Sequence, residues 1–282
     1  MRALLRRAKV VPSFAVTGCV GCRDTCVPTA EAMSETILQT HGLTKDFRGF
    51  VAVKAVDLAV RRHSIHALIG PNGAGKTTCF NLLTKFLTPT AGRILYKGID
   101  ITNHKPAQVT RLGLVRSFQI SAVFPNLSVL ENVRIALQRQ RGRSFDFWRS
   151  AEVLEQFTPR ALEVLESVGL AELAEARAAE LSYGRKRALE IATTLALDPE
   201  TMLLDEPMSG MGHEDVDRIA ALIKKVAVDR TIIMVEHNLS VVADLCDRIT
   251  VLARGEILAE GDYAAVSRNP EVVQAYMGTA HA

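Results

Sequence analysis

The chain has 282 residues, of which 48% are hydrophobic and 23% charged, and its net charge at pH 7 is +3. This composition excludes a disordered chain, and the length allows one large domain with a smaller lobe. Residues 1–32 hold five basic and two acidic side chains, so of 34 basic and 31 acidic residues, 29 of each remain elsewhere. A neutral body argues against a nucleic-acid partner. No apolar run reaches the roughly 18 residues of a membrane-spanning helix.

Residues 1–32 have the pattern of an extension ahead of the folded domain. Their basic stretch, followed by the short apolar segment 10–22, resembles a secretory leader. Met33 directly precedes the first strand-like segment, which favours translation from Met33 and a disordered or wrongly assigned extension over 1–32. Three cysteines of the extension make an incomplete zinc ligand set, and they are Cys19, Cys22 and Cys26. We therefore expect the folded domain over residues 33–282.

The first part of this domain alternates apolar and polar residues from Thr36 to Ile69, which is typical of antiparallel strands that end in a buried one. A glycine-rich turn follows, and the residue pattern after it predicts a helix over 76–86. Two further strand-like units are predicted over 94–101 and 114–119. The sequence thus predicts an antiparallel β part near the N-terminus.

Helical periodicity then extends from Val129 to about Leu197, with interruptions near 141–149 and at Pro159. Three apolar strands separated by helices follow, and these predicted strands are 202–204, 232–235 and 249–252. Such alternation implies a mainly parallel sheet with helices on both faces. The long helical stretch between strands is the predicted second lobe, over about residues 120–197.

A glycine-rich segment after the buried strand matches the phosphate-binding pattern G-x-x-x-x-G-K-[ST]. It consists of Gly70, Pro71, Asn72, Gly73, Ala74, Gly75, Lys76 and Thr77, and Thr78 follows it. The glycines allow backbone N–H groups to turn inward, and the following helix N-terminus adds partial positive charge. We expect Lys76 to reach the β and γ phosphates of a nucleotide, and the Thr77 hydroxyl to bind Mg²⁺. The alternative is a glycine-rich turn with an incidental lysine.

Two acids, Asp205 and Glu206, follow a short apolar strand, at the position where open α/β sheets bind ligands. We expect Asp205 to hold Mg²⁺ through water, and Glu206 to polarise the water that attacks the γ phosphate. Two acids after a strand are also common at the start of a helix. The phosphate-binding segment upstream favours the functional interpretation.

Two more polar residues follow predicted strands. His237 comes after an apolar strand and Glu236, and we expect it to contact the γ phosphate, although a histidine there could also begin the next helix. Gln119 follows another buried strand, where it could touch Mg²⁺ or the attacking water. The predicted catalytic residues are Lys76, Gln119, Glu206 and His237, and the predicted magnesium ligands are Thr77, Gln119 and Asp205.

The segment Leu181-Ser182-Tyr183-Gly184-Arg185 precedes a strongly amphipathic helix, and alone it would be a helix N-cap with Ser182 as the capping residue. Together with the motifs above, in the same order and spacing, it resembles the signature sequence of ABC ATPases, LSGGQ. The resemblance covers essentially all of residues 36–278. It implies that Ser182 and Gly184 bind the γ phosphate held by a second subunit, in a head-to-tail dimer with two ATP molecules at its interface.

The same resemblance assigns two further residues and shows three departures. Phe47 stands where the family stacks an aromatic ring on adenine. Gln119 stands in the Q-loop, the segment that responds to the membrane subunits in this family. Tyr183 and Arg185 depart from LSGGQ. In the D-loop, where an aspartate is usual, this chain has Gly212, a change that bears on the coupling between the two ATP sites.

Within ABC ATPases the chain is most similar to the larger ATPase subunit of branched-chain amino acid importers. The segments that carry this similarity are 46–53, 115–119, 127–133, the helical insertion after Leu137, and 269–278. The same family includes ATPase subunits of urea or amide importers, and the lipopolysaccharide-export ATPase is a more distant relative. The resemblance therefore favours import but leaves these alternatives open.

The resemblance implies an α/β fold, the P-loop NTPase fold of an ABC ATPase domain, with a mainly parallel core sheet, an N-terminal antiparallel β part and a helical lobe. It implies ATP and Mg²⁺ as cofactors and ATP hydrolysis coupled to transport at the cytoplasmic face of the inner (plasma) membrane. The expected partners are a second ATPase subunit in a homo- or heterodimer, two multi-span membrane permease subunits and, indirectly, a substrate-binding protein. The alternatives are a non-transport ABC ATPase and a small-molecule P-loop kinase.

Overall fold

The computed structural model describes residues 35–117, 123–138 and 152–277. Its strands are β1 (Thr36–Phe47), β2 (Phe50–Val56), β3 (Ala59–Arg61), β4 (Ile65–Ile69), β5 (Ala91–Tyr96), β6 (Ile99–Asp100), β7 (Leu114–Ser117), β8 (Thr201–Asp205), β9 (Thr231–Val235), β10 (Arg248–Ala253) and β11 (Glu256–Gly261). Its α-helices are α1 (Lys76–Leu83), α2 (Pro106–Arg111), α3 (Val129–Gln138), α4 (Glu152–Glu155), α5 (Thr158–Ser167), α6 (Tyr183–Leu195), α7 (His213–Ala227), α8 (Leu239–Leu245), α9 (Tyr263–Ser267) and α10 (Pro270–Met277). The predicted extension over 1–32 and Gln119 lie outside the described residues.

The described strands form two sheets. In the first, β1 pairs with β2, β3 and β5, and β5 pairs with β6, in each case antiparallel. The second sheet has the order β11-β10-β4-β9-β8-β7, and all its neighbours are parallel except β10 and β11. The predicted antiparallel part and mainly parallel core sheet are therefore confirmed, and β11 is an edge strand that the sequence analysis missed.

The core lies on both faces of the parallel sheet. Strands β4, β8 and β9 are buried along their whole length, which explains why their sequences are continuous apolar runs. Alternate residues of β4 face opposite sides: Ile69 packs in the cluster that includes α3 and α6, whereas Leu68 packs with Phe80 of α1 and with the antiparallel sheet. This packing fixes the carboxyl ends of the parallel strands relative to one another.

The helices differ from the predicted ranges at their ends. α1 ends at Leu83 rather than at residue 86, because Lys85 adopts a φ of 64°, outside the helical region. Pro159 lies in the first turn of α5. Backbone N–H groups in the first turn make no hydrogen bond within the helix, so the lack of an N–H in proline costs nothing there. No helix within the described ranges is both long and apolar enough to cross a membrane.

Candidate functional site

The carboxyl ends of the parallel strands β4, β8 and β9 meet at one edge of the sheet. The register places Asp205 beside Val235, and Val235 beside Leu68. The backbone N–H of Glu206 also donates to the carbonyl of Val235 at 2.9 Å. The phosphate-binding segment, the two acids and His237 each follow one of these strands, so the fold brings them to the same crevice.

The phosphate-binding segment forms a tight loop between β4 and α1. Gly70 and Gly75 have φ angles of 150° and 100°. A Cβ at Gly75 would lie 2.4 Å from the carbonyl oxygen of Ala52, and one at Gly70 would lie 2.1 Å from that of Leu252. Only glycine fits at these two positions, both because of the backbone conformation and because neighbouring backbone approaches so closely.

Lys76 is the first residue of α1 and is half-buried. Its Nζ donates to the carbonyl oxygens of Gly70 at 2.7 Å and Pro71 at 2.9 Å, so the side chain folds back over the loop. Burial lowers the pKa of Lys76, and the nearby Glu206 carboxylate opposes this shift. The next residue, Thr77, is exposed and its hydroxyl is accessible to a ligand.

Asp205 ends β8 as a buried carboxylate, and Arg116 of β7 forms an ion pair with its Oδ2. In the part of the chain that the structure describes, no group of three or more His, Cys, Asp or Glu side chains could hold a metal. Mg²⁺ usually takes one or two protein carboxylates and completes its shell with water and substrate phosphates. The oxygens of Asp205 and Thr77 fit this kind of magnesium site.

Glu206 has a φ of 44°, in the left-handed region that non-glycine residues seldom adopt. Arg187 of α6 contacts the backbone of this turn. Its guanidinium donates to the carbonyl oxygens of Asp205, Glu206 and Pro207 at 2.9, 3.0 and 3.1 Å. Glu190 pairs with the same guanidinium at 2.5 Å. A strained backbone persists only when its surroundings hold it, and here Arg187 supplies the contacts.

His237 follows β9, and its side chain is 61% exposed. The preceding Glu236 is buried and accepts the backbone N–H groups of Met208 at 3.0 Å and His237 at 3.2 Å. Burial raises the pKa of Glu236, and these backbone hydrogen bonds lower it. Glu236 therefore joins His237 to Met208, which directly precedes the D-loop over residues 209–212, a role that no sequence motif indicated.

Ser182 occupies the N-cap position of α6, but its exposed side chain makes no cap hydrogen bond. Ser182 is therefore the N-cap residue by position, as the segment alone indicated, but its side chain does not cap the helix. A Cβ at Gly184 would lie 2.3 Å from Oδ1 of Asp215, so the approach of α7 favours glycine here. No hydrogen bond or ion pair among the described residues joins this segment to residues 70–77 of the same chain.

Three aromatic residues also belong to the candidate site: Phe47, Tyr183 and Tyr276. Phe47 ends β1 with 44% of its surface exposed, and Nζ of Lys45 lies 5.2 Å from its ring centroid. The Tyr183 hydroxyl donates to the carbonyl of Ser209 at 3.2 Å, which ties the signature segment to the D-loop. Burial raises the pKa of Tyr276 on α10, and a hydrogen bond with the backbone of Gly70 lowers it. The sequence analysis gave no role to Tyr276, Arg116 or Arg187.

Comparison with known proteins identifies the family. A family model described as ABC transporter matches residues 53–209. The high-affinity branched-chain amino acid transport ATP-binding protein BraF of Pseudomonas aeruginosa is 37% identical over 258 residues, which cover 88% of this chain and 100% of that protein. The chain belongs to the ABC transporter ATP-binding proteins. LivG of Escherichia coli K12, another such protein, is 37% identical over 259 residues with the same coverage.

Three further similarities refine the place of this ABC transporter ATP-binding protein. A model described as branched-chain amino acid ATP-binding cassette transporter matches residues 256–282. The ADP conformation of a solved ABC transporter cassette matches with a TM-score of 0.77 and 32% identity, over 86% of this chain and 99% of that one. A dimeric cassette in a post-hydrolysis state bound to ADP and Pi matches with a TM-score of 0.67 and 26% identity, over 80% and 99%. The predicted family and ABC ATPase fold are confirmed, and nucleotide binding is a property of the family.

Proposed function

We propose that this chain is the ATP-hydrolysing subunit of an importer of branched-chain amino acids or related small polar solutes. Two observations support the substrate class: relatives that align over their full length have branched-chain amino acid transport in their names, and the model for that transporter type matches residues 256–282. The observation that carries the hydrolytic role is that Lys76, after β4, and Glu206, after β8, lie at the same carboxyl edge of the parallel sheet.

The proposed chemistry is the displacement of the γ phosphate by water. Residues 70–77 hold the phosphates through backbone N–H groups, and Lys76 neutralises charge on the β and γ phosphates. Glu206 takes a proton from the attacking water as the new oxygen–phosphorus bond forms and the bond to the bridging oxygen breaks. His237 contacts the γ phosphate, and Gln119 contacts the water or the metal. Mg²⁺, when bound at Thr77 and Asp205, stabilises charge on the phosphate oxygens.

A second copy or a second ATPase subunit completes this site. Within the described part of the chain, no hydrogen bond or ion pair links Ser182 or Gly184 to residues 70–77, and the Ser182 hydroxyl makes no cap bond. This arrangement supports a head-to-tail dimer in which these residues bind the γ phosphate held by the partner. ATP would favour the closed dimer, and hydrolysis with product release would reopen it. Phe47 stacks on adenine in this arrangement.

The membrane partners are proposed to be two multi-span permease subunits, with this chain at the cytoplasmic face of the inner membrane. A groove of about 520 Å³ separates α2 and β7 from α3 and α6. Phe86 and Phe124, each 52% exposed, lie in its wall. Exposed aromatic side chains around a concave surface are typical of a protein-binding site.

Substitution Glu206→Gln tests the hydrolytic mechanism. The amide keeps the size of the side chain but takes no proton, so ATP should remain bound while turnover falls about 100-fold or more, the contribution of a positioned general base. Phosphate release and ATP binding are measured on the same sample. Glu163→Gln, in an exposed pair on α5, is the control and should keep wild-type turnover. Turnover at the wild-type rate in Glu206→Gln would exclude Glu206 as the base.

Reconstitution with its permeases tests the transported substrate. Purification of tagged chain from its native membrane should recover multi-span membrane proteins and no nucleic acid. Proteoliposomes that contain this complex and its binding protein should hydrolyse ATP faster with leucine, isoleucine or valine, and should accumulate labelled leucine. Stimulation by urea or short amides instead, or extraction of lipopolysaccharide, would assign the chain to one of the alternative transporters. Recovery of ribosomes or DNA would favour a non-transport ABC ATPase.

A further inference from the structure

Arg116 contacts the carboxylate that is proposed to serve Mg²⁺. It lies on β7, and its side chain is 10% exposed, while that of Asp205 is 3% exposed. One guanidinium nitrogen donates to Oδ2 of Asp205, and another donates to Oδ1 of Asn81 at 2.5 Å. The Phe80 ring lies beneath, with its centroid 5.9 Å from Cζ of Arg116. Three neighbours therefore fix the position of the guanidinium.

Burial makes this pair energetically important. A carboxylate that is removed from water is strongly destabilised unless a counter-ion and hydrogen bonds compensate for the lost hydration. Among the residues that the structure describes, Arg116 is the one hydrogen-bond donor to the Asp205 carboxylate, and it uses Oδ2. The other oxygen, Oδ1, accepts no hydrogen bond from the described residues.

We propose that Arg116 is the counter-ion that holds the buried Asp205 carboxylate in place before the metal binds, and that Mg²⁺, bound through water beside Oδ1, takes over part of this role. This inference rests on the proposed nucleotide site. Arg116 lies three positions before Gln119 in the chain and also lines the groove beside Phe86 and Phe124. The ion pair thus joins the magnesium ligand to the groove that is proposed to receive the permease.

Arg116 and Mg²⁺ are two cations that serve one carboxylate, so Mg-ATP should compensate for the loss of Arg116. Arg116→Met keeps much of the side-chain volume and removes the charge. Both Arg116→Met and its parent carry Glu206→Gln, so that ATP is not consumed, and thermal unfolding is followed in EDTA, in ATP with EDTA, and in Mg-ATP. In EDTA we expect Arg116→Met to lower the Tm by about 10 °C. In saturating Mg-ATP the deficit should shrink to less than half.

A control variant in a more exposed ion pair separates this effect from ordinary loss of an ion pair. Arg248 pairs with Glu260 at the opposite end of the parallel strands, with a distance of 2.5 Å. Arg248→Met should therefore lower the Tm by the same amount with and without Mg-ATP. The double variant Arg116→Met/Asp205→Asn has no buried carboxylate at position 205, so no negative charge there needs a counter-ion. It should regain most of the Tm in EDTA, yet gain much less from magnesium than the parent does.

The outcomes distinguish this inference from the proposed function. An equal Tm deficit of Arg116→Met in EDTA and in Mg-ATP would show a purely structural ion pair and overturn the inference. If Arg116→Met does not fold in EDTA, recovery of folded protein by Asp205→Asn supports the inference, and no recovery contradicts it. If Mg-ATP does not stabilise even the parent chain, the proposed nucleotide site fails and this inference fails with it.

Discussion

Replacing Arg187 by methionine tests how strongly one buried cation stabilises the turn that carries Glu206. Methionine keeps the apolar stem but removes hydrogen bonds to three carbonyl oxygens. It also leaves Glu190, whose side chain is 7% exposed, without its cation. Breaking a buried pair by removing one partner costs about 3–5 kcal/mol, so we expect the free energy of unfolding to fall by about 4 kcal/mol.

The turnover of Arg187→Met should fall as well, because the strained backbone of Glu206 loses the contacts that hold its φ of 44°. ATP affinity should change little, since Arg187 makes no hydrogen bond to the loop over residues 70–77. Adding Glu190→Gln removes the uncompensated charge. The double variant should therefore recover part of the stability while its turnover stays low.

Urea unfolding at 25 °C measures the stability change, and Arg160→Met is the control. Arg160 and Glu163 form a pair with the same spacing as Arg187 and Glu190, but with side chains 57% and 63% exposed. An exposed pair contributes about 0–1 kcal/mol, so this control should be nearly neutral. A loss below about 1 kcal/mol in Arg187→Met, or equal losses in the two variants, would refute the reasoning.

Two further predictions concern the packing of the phosphate-binding loop and a buried histidine of β4. Gly75→Ala should weaken ATP binding at least tenfold, because its Cβ would lie 2.4 Å from a backbone carbonyl oxygen. A Cβ at Gly73 would meet no atom of the described residues within 4 Å, so Gly73→Ala should weaken ATP binding less. Calorimetric titration of both variants with ATP checks the order, and equal losses would contradict it. Burial and then Arg248 lower the pKa of His66 from 6.5 to about 4, so the unfolded chain binds the proton more tightly. This contribution to stability is complete above pH 6.5 and declines as the pH falls toward 4. Between pH 7 and pH 5 it should cost about 2 kcal/mol, and urea unfolding of His66→Phe at both pH values should lack that part of the decline.

Local patterns were enough to predict the strands that carry the site. β4, β8 and β9 are buried on both faces, so their continuous apolar runs could be recognised as strands in the sequence. The motifs at the ends of these strands then indicated which residues share the crevice. The parallel arrangement explains why these residues lie together, because it brings the carboxyl ends of neighbouring strands to one edge of the sheet. The placement of Lys76, Asp205, Glu206 and His237 followed from these two features.

Contacts between distant segments could not be predicted in this way. Arg187 looks like an ordinary polar residue of an amphipathic helix, and only the fold shows that it points at the carbonyls after β8. Arg116 and Glu236 are charged residues in apolar surroundings, whose partners come from other strands or loops. The positive φ of Glu206 is likewise a consequence of tertiary packing, because glutamate has no intrinsic preference for that region.

The most direct test of the whole account is calorimetric titration of ATP with Mg²⁺ into the Glu206→Gln chain and into the same chain with Lys76→Ala. We expect one ATP per chain in the first case. Because charge-assisted hydrogen bonds contribute about 1.5–3 kcal/mol, Lys76→Ala should weaken binding about tenfold to a hundredfold. Unchanged affinity in Lys76→Ala, or no binding of ATP by the Glu206→Gln chain even with its partner subunits present, would contradict the account.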